Sequence, residues 1–321
     1  MASIYHGRGA ALGFGEEATG NYGTAVSPSV WRPAISTSLL RTIEKVPRPT
    51  LRTGAAGAMR RAHFVQADNA GGSFQIEATY ENCGMILKHA LGKVTTTGGS
   101  APYTHTYTLS DHVTTDKPGL SIANVRGTGT TEVFEGSRIS TFTFAVSSGG
   151  VATIDCAVIS ETTNGRVSTT HTDSDFAATE SPILHHQAST LSFNSVNYPL
   201  IDMSLVINNS LATRQKLGSS LTLQPLRSDF QSVELSLTVE VDDALALALV
   251  NDTESDAVIT FTSGSETFTV NIHNAYLSEV GDAVSDANII RQSITLIGQS
   301  DGTNEGCSIV VVNADATGIG N

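Results

Sequence analysis

The chain has 321 residues, 40% hydrophobic and only 15% charged, with a formal net charge of −13. That is enough apolar material for one large core or two ordinary ones, and the abundance of Thr, Ser, Gly and Val points to β-structure with many turns. The acidic balance argues against a protein that grips nucleic acid by its phosphates, and no run approaches the roughly 18 apolar residues a membrane span needs.

Residues 1–30 hold Gly7, Gly9, Gly13, Gly15, Gly20 and Gly23 among few apolar residues, and read as an arm that is ordered only where something holds it. Gly7, Gly9 and Leu12 miss the dinucleotide fingerprint, since no strand precedes them. The start, MASIYHGRGAAL, lacks the basic head and apolar run of a signal peptide.

A first β domain is expected over 31–161. A strand near Ala34–Leu40 leads into a long connection, Arg41–Gly72, with Pro47 and Pro49 holding it extended. This loop contains Arg41, Lys45, Arg48, Arg52, Arg60 and Arg61, a third of the Lys and Arg of the chain. Loops of this length usually have a task. The reading preferred over a solvated excursion is a contact arm toward an acidic surface of a neighbouring subunit or ring. GSFQIEATY then alternates, with Phe74, Ile76, Ala78 and Tyr80 on one face, and runs into a short helix carrying Ile86, Leu87, Ala90 and Leu91. Glu81 and Asn82 stand where they could cap that helix. Strands follow at Tyr103–Leu109, Gly119–Val125 and Thr131–Phe134. Arg138–Ser147 and Val151–Ser160 form a hairpin around Ser148-Gly149-Gly150.

Residues 162–186 are polar and read as a linker. A second β domain, 187–300, repeats the order: strands at Ser189–Phe193 and Ile201–Asn208, a shorter loop over 209–231 whose Arg214, Lys216 and Arg227 are further candidates for contact between subunits or rings, then a strand and helix. In that strand Leu235, Leu237, Val239 and Val241 alternate, and Asp242-Asp243 opens the helix. A hairpin turns at Ser263-Gly264-Ser265, and Ile289–Ile297 closes the half. Residues 301–321 read as a C-terminal tail with one edge strand, Cys307–Val312. The expected class is all-β with short flanking helices, and the repeated order suggests a duplication; two unrelated β lobes are the alternative. Charge divides unevenly: twelve Lys+Arg against ten Asp+Glu in 31–161, but four against thirteen in 187–300. Halves of about +2 and −9 attract each other.

No catalytic constellation is present. There is no Gly-x-Ser-x-Gly elbow. His185-His186 point to opposite sides of an extended chain, and His171, Asp173 and Asp175 read as solvent-facing in a linker. His105, between Tyr103 and Tyr107, reads as a strand surface residue. Cys83, Cys156 and Cys307 lack metal-ligand spacing, and free buried thiols are expected of Cys83 and Cys156, which sit in apolar patterns. No cofactor and no metal is expected, and the chain is expected not to be an enzyme.

Several stretches resemble the major tail tube protein family of long-tailed (siphovirus-like) bacteriophages. GFGEEATGNYGTAVSPSVWRPAISTSL is similar to the family's opening, and GGSFQIEATYENCGMILKHALG to its strand–helix core. YTHTYTLSD, KPGLSIANV and FEGSRISTFTFAVSSGGVATIDCAVIS are similar to its closing strands. The likeness extends to about Ser300 and leaves the tail without a role. It implies a duplicated tail-tube-type β-sandwich or partial barrel with a flanking helix, rings stacked into a tube, and a lumen that passes the genome into the host. A related fold forms the tube of type VI secretion systems. The partners implied are the chain itself, tail terminator and tail tip or baseplate proteins, a tape measure protein, and DNA in transient, non-specific passage. No membrane is involved, and the location implied is the virion tail, assembled in the host cytoplasm. A capsid or tail decoration or adhesin-type module is the competing reading, and a β-rich enzyme a third. Gln75, Glu77 and Thr79, with Glu234, Ser236, Thr238 and Glu240, are the lumen-facing candidates, against an outward or joint-facing placement. Six sandwich domains around the axis, as the resemblance implies, would make two domains per chain a trimeric, pseudo-hexameric ring; a true hexamer is the alternative.

Overall fold

The structure is a computed structural model and describes residues 10–47, 63–110, 117–126, 131–167, 182–194, 196–240, 254–283 and 291–319. The first half contains β1 (Ala11–Glu16), β2 (Val30–Pro33), β3 (Ser36–Thr37), β4 (Leu40–Pro47) and β5 (His63–Glu77). Next come α1 (Gly84–Leu91), β6 (Gly92–Thr97), β7 (Tyr103–Leu109) and β8 (Leu120–Val125). β9 (Thr131–Val146), β10 (Thr153–Ser160) and β11 (Thr162–Val167) complete it. The second half begins with β12 (Ser189–Phe193), β13 (Val196–Tyr198) and β14 (Leu200–Asn208), and continues with β15 (Leu211–Arg214) and β16 (Leu223–Arg227). β17 (Ser232–Glu240), β18 (Ser255–Ser263), β19 (Glu266–Ala283), β20 (Arg291–Ile297) and β21 (Cys307–Asn313) follow.

One long antiparallel sheet spans both halves in the order β4–β5–β10–β9–β14–β17–β20–β19. Two smaller sheets lie behind it. One runs β2–β1–β8–β9–β11, the other β6–β7–β21–β19–β18–β12–β13. β9 and β19 are long because each serves two sheets. Each changes sheet at a bulge: the register slips at Ala157/Val158 opposite β9 and at Leu277/Glu279 in β19. An extra residue on one strand bends it, which is how a strand turns a corner between layers. Gly136, at φ +60, sits at the β9 corner, where a Cβ would meet the Tyr22 ring at 2.8 Å.

The inward faces share one core. Phe14 of β1 lies 5.4 Å from Phe74 of β5, joining the long sheet to the first small sheet. Phe144 of β9 meets Phe261 and Phe268, joining it to the second. Period-two alternation is what selects these faces: Ile154, Cys156 and Val158 are buried on β10, as are Val233, Leu235, Leu237 and Val239 on β17. α1 lies against β9, β6, β7 and β1, with Met85, Ile86, Leu87, Ala90 and Leu91 buried.

Several expectations need correction. Residues 11–16 of the supposed arm are a core strand held by β2 and β8, because Leu12 and Phe14 alternate inward. The described ends of the stretch Arg41–Gly72 are not loop: Leu40–Pro47 and His63–Gly71 pair antiparallel, and residues 48–62 lie outside the described ones. The linker contributes β11, paired to β9. β21 is not an edge strand; it lies between β7 of the first half and β19 of the second. Thr131–Phe134 and Arg138–Ser147 are one continuous β9. Asn82 does not cap α1: its φ is +61, its N–H donates to Asp315 Oδ2, and the helix starts after Cys83 with no side-chain cap. The expected second helix, and His171, Asp173 and Asp175, lie outside the described residues.

Candidate assembly surfaces

The outward face of the long sheet follows from the same alternation. Between core positions β5 presents Gln75 and Glu77, β10 Thr153 and Asp155, and β9 Thr141, Thr143 and Ala145. β14 presents Asp202, Ser204 and Val206, and β17 Glu234, Ser236, Thr238 and Glu240. The pairings align them into rows. Glu77 faces Thr153, then Ala145, Ser204, Ser236, Thr295 and Glu279 across successive strands. Small hydroxyl side chains thus dominate, with Glu77, Asp155, Asp202, Glu234, Glu240 and Glu279 as carboxylates. From β5 to β19, Arg291 is the one exposed cation at these positions among the described residues, opposite Glu240. Partial burial, by removing water, pushes the Asp155 carboxyl above its usual range.

Six of the seven lumen candidates, from two distant stretches, therefore lie on one face of one sheet. Thr79 does not join them. It is buried past the end of β5 and donates its hydroxyl to the Glu81 carbonyl at 2.6 Å. Asp155, Thr143 and Asp202 were absent from the sequence candidates. Their signal is the alternation of RISTFTFAVS, VATIDCAVIS and LIDMSLVIN, but nothing local shows that β9 pairs with β14.

The cations are less uniform. Arg41 is bound to Asp68 of its own hairpin, Nε to Oδ1 at 2.8 Å and a terminal nitrogen to Oδ2 at 2.5 Å. Lys45 and Lys216 are exposed. Arg48, Arg52, Arg60 and Arg61 lie outside the described residues. Arg214 donates to the Gln224 carbonyl within the β15–β16 hairpin. Arg227 donates to the Ser110 carbonyl of the first half at 3.2 Å.

The β15–β16 hairpin is itself an arm laid on the first half. The Asp68 N–H donates to the Ser220 carbonyl at 2.8 Å, and Gln224 Nε2 to the Lys117 carbonyl at 3.1 Å. At its base Asn209, fully buried, donates to the Ala90 and Ile139 carbonyls.

Two strand edges of the long sheet, β4 and residues 276–283 of β19, have no second neighbour among the described pairings. Ile35, Leu40, Ile43 and Val65 leave apolar surface along or beside the β4 edge, with Leu40 59% exposed. An apolar strand edge pairs with another chain unless something blunts it; at this one Arg126 donates to the Leu39 carbonyl at 2.5 Å.

Among the described residues no group of three or more His, Cys, Asp or Glu could hold a metal. All three cysteines are free and buried, Cys307 as well as the two expected. Burial pushes the Cys307 thiol up to about 12 and the Cys156 thiol well above its ordinary value, so both stay protonated and inert. His105 is fully buried, contrary to the surface reading. Its ring bonds Thr96 Oγ1 at 2.9 Å and the Asp315 carbonyl at 2.9 Å, because β21 and the chain after it cover that side of β7. No described helix is long and apolar enough to cross a membrane.

A family model described as "Phage tail tube protein" matches residues 7–299. No curated protein matches the chain.

Proposed function

The chain belongs to the phage tail tube protein family, and from that premise we propose a specific architecture for its tube: three chains per ring, each supplying two equivalent wall units. The protein is a structural component of the virion tail, where it forms the conduit for DNA, and is not an enzyme. Self-association follows from that role. The number of chains per ring, the faces used and the division of the chain are the proposal.

The observation that carries it is the recurrence of strand pairings. β1 pairs β2 and β8, as β12 pairs β13 and β18. β4–β5–β10–β9 is matched by β14–β17–β20–β19. β9 also pairs β8 and β11, as β19 pairs β18 and β21. The irregularities recur too. Leu120/Ile122 faces Ser137/Phe134 with the slip that Ser255/Ala257 shows against Ala275/Ile272. Matching them aligns Leu12 with Leu191, Phe14 with Phe193, Leu39 with Leu205 and Phe74 with Leu237. Strand alternation alone is met equally by Phe74 with Leu235, two residues away. Both registers keep the same face inward, so only the bulges separate them.

On this reading the units are not separate domains with the boundaries 31–161 and 187–300. The first extends from about Ala11 to Val167 and the second from about Ser189 to Asn313, so the arm, the linker and the tail each supply a wall strand. Six such units around an axis close a ring of three chains. Unlike halves then alternate, about +1 over 11–167 and about −11 over 189–313, and no two strongly acidic halves meet, which avoids costly like-charge contacts.

The long sheet lines the lumen in this proposal. Gln75, Glu77, Glu234, Ser236, Thr238 and Glu240 face DNA, joined by Asp155 and Asp202. Hydroxyls and carboxylates release no counterions from DNA, so the polymer slides without sticking. The β4–β5 arm carries contacts to a neighbouring chain, and the ends of the tube meet a terminator, a tip or baseplate and a tape measure protein. Native mass measurement of isolated rings tests the stoichiometry: three chains are expected, and six would contradict it.

A further inference from the structure

We infer that Ser308 is an activated hydroxyl that takes an acyl group from an ester or thioester, with His273 as its base and Asp256 as the carboxylate that positions the base. The three come from β21, β19 and β18, so nothing in the sequence brings them together. They meet on the outward face of the second small sheet. Ile309 and Val311 point from β21 into the core, and Ser308 points away from it, paired with Asn271 of β19. The slip between Ser255 and Ala257 sets His273 and Asn274 together opposite Asp256. A bulge of this kind re-aims a side chain.

Ser308 Oγ lies 2.8 Å from His273 Nε2, and Asn271 Nδ2 donates to the same oxygen at 3.4 Å. An amide nitrogen only donates, so the Ser308 proton is left to point at Nε2, and the neutral ring carries its own proton on Nδ1. Nδ1 faces Asp256 Oδ2 at 3.6 Å. The other oxygen of that carboxylate accepts the Asn274 N–H at 3.0 Å, which holds it beside the ring. Hydroxyl, imidazole and carboxylate in this order let the oxygen attack while its proton leaves and the imidazolium charge is offset. Contacts such as that of Nδ1 with Asp256 tighten when the reacting group is bound. Thr96 and His105 form a second hydroxyl–imidazole pair, but there the other ring nitrogen meets the Asn313 amide oxygen and the Asp315 carbonyl. Neutral acceptors offset less imidazolium charge than a carboxylate.

Ser308 and His273 line a groove of about 520 Å³, a size that admits a small ligand. Thr106, Thr108, Asn304, Lys93 and Glu305 also line it, so the acyl group it suits is polar. In the transfer Oγ bonds to the acyl carbon, and the bond from that carbon to the leaving oxygen or sulfur breaks. The Ser308 proton passes to Nε2 and then to the leaving group, giving a Ser308 ester and a free alcohol or thiol. One transfer per chain modifies a wall protein without turnover, which agrees with a structural role. The inference rests on the tube reading only for the place of the groove: with the long sheet at the lumen, this face lies on the outside of the tube.

A fluorophosphonate probe, which exchanges its P–F bond for a P–O bond on an activated serine, tests the site on the intact purified chain. One label per chain is expected, located at Ser308 by peptide mass and lost when the chain is unfolded in urea. His273→Gln should slow labelling by about 10²–10⁴-fold, the usual contribution of a general base. The Asp256 side chain is 59% exposed, so its variants should fold. Asp256→Asn should slow labelling and Asp256→Glu restore it, a pattern that a merely structural role would not give. An activated aryl ester should release one equivalent of phenol per chain and then stop. No label at Ser308 in the folded chain, or labelling indifferent to both His273→Gln and Asp256→Asn, would overturn the inference. Continued release of phenol would overturn the single transfer. Assembled tubes should label as the free chain does; protection in tubes alone would keep the reactive serine and overturn the outward placement of this face.

Discussion

The Phe144 ring of the first half lies 5.2 Å from that of Phe268 in the second, stacked with an interplanar angle of 26°. Phe261 closes on Phe144 edge-on at 5.7 Å, and all three rings are fully buried. A core that runs through this contact gives the halves no independent stability. Phe144→Ala removes it and should cost about 3–5 kcal/mol. In calorimetry of the unassembled chain, one transition covering both halves should shift down. Two transitions, only one of them shifted, would contradict a shared core.

Asn209 is a second tie. Its side chain donates to Ala90 and Ile139 and accepts from Gln231 at 2.5 Å. Asn209→Ala leaves two buried carbonyls without those donors, which should cost about 2–3 kcal/mol. The urea midpoint should fall accordingly; an unchanged midpoint would mean the contacts are replaced at little cost.

Acidity should help one junction. Glu81 and Glu266 share a hydrogen bond, which requires a proton on one of them, and Asp315 adds its charge nearby. Desolvation first, then this repulsion, raises both glutamates above their ordinary values, and desolvation raises Asp315. A carboxyl with a raised folded pKa gives stability that is complete below its unfolded value and is lost as pH rises through the folded one. The unassembled chain should therefore lose part of this stability as pH climbs out of the ordinary carboxylate range toward neutrality. Glu266→Gln should flatten that segment of the stability–pH curve. An unaltered curve would dissociate the pair from it.

The β4–β5 arm should govern assembly more than folding. Arg41 is about a third exposed, so its pair with Asp68 is worth no more than about 0–1 kcal/mol, and Arg41→Gln should leave the fold intact. Shortening the hairpin beyond Glu44 and Ala67 should yield soluble protein that forms tubes poorly. Normal tubes by negative-stain microscopy would remove the arm from the joint.

Charge on the sheet face should matter to DNA and not to the wall. Glu234→Lys with Glu240→Lys should assemble, since both side chains are exposed and make no core contact. Phage carrying such tails should eject DNA more slowly, because phosphates would find cations along the wall. Unchanged ejection would place this face away from the lumen.

The legible part of the fold was what is written locally. Hairpins at Gly149 and Gly264, the alternating strands and the buried face of α1 follow from period two, period 3.6 and turn residues. Pairings between distant segments were not legible. Nothing near Asn208 says that β14 continues β9, and nothing near Cys307 says that β21 separates β7 from β19. His105 shows the consequence: Tyr103, His105 and Tyr107 share a face, but only β21 makes that face interior. The arms escaped for another reason. Thr42, Ile43, Glu44 and Lys45 are exposed on both sides, so they carry no alternation to read. The outward carboxylates at Glu77, Glu234 and Glu240 were legible as positions and became a surface only through β9 and β14.

The most direct test of the account is the symmetry of the tube wall, from image reconstruction of tubes assembled from the intact chain. The account predicts three chains per ring, near-sixfold density, and the long sheet on the lumen side of the wall. Six chains per ring, with Ser189–Asn313 projecting outside the wall, would contradict it.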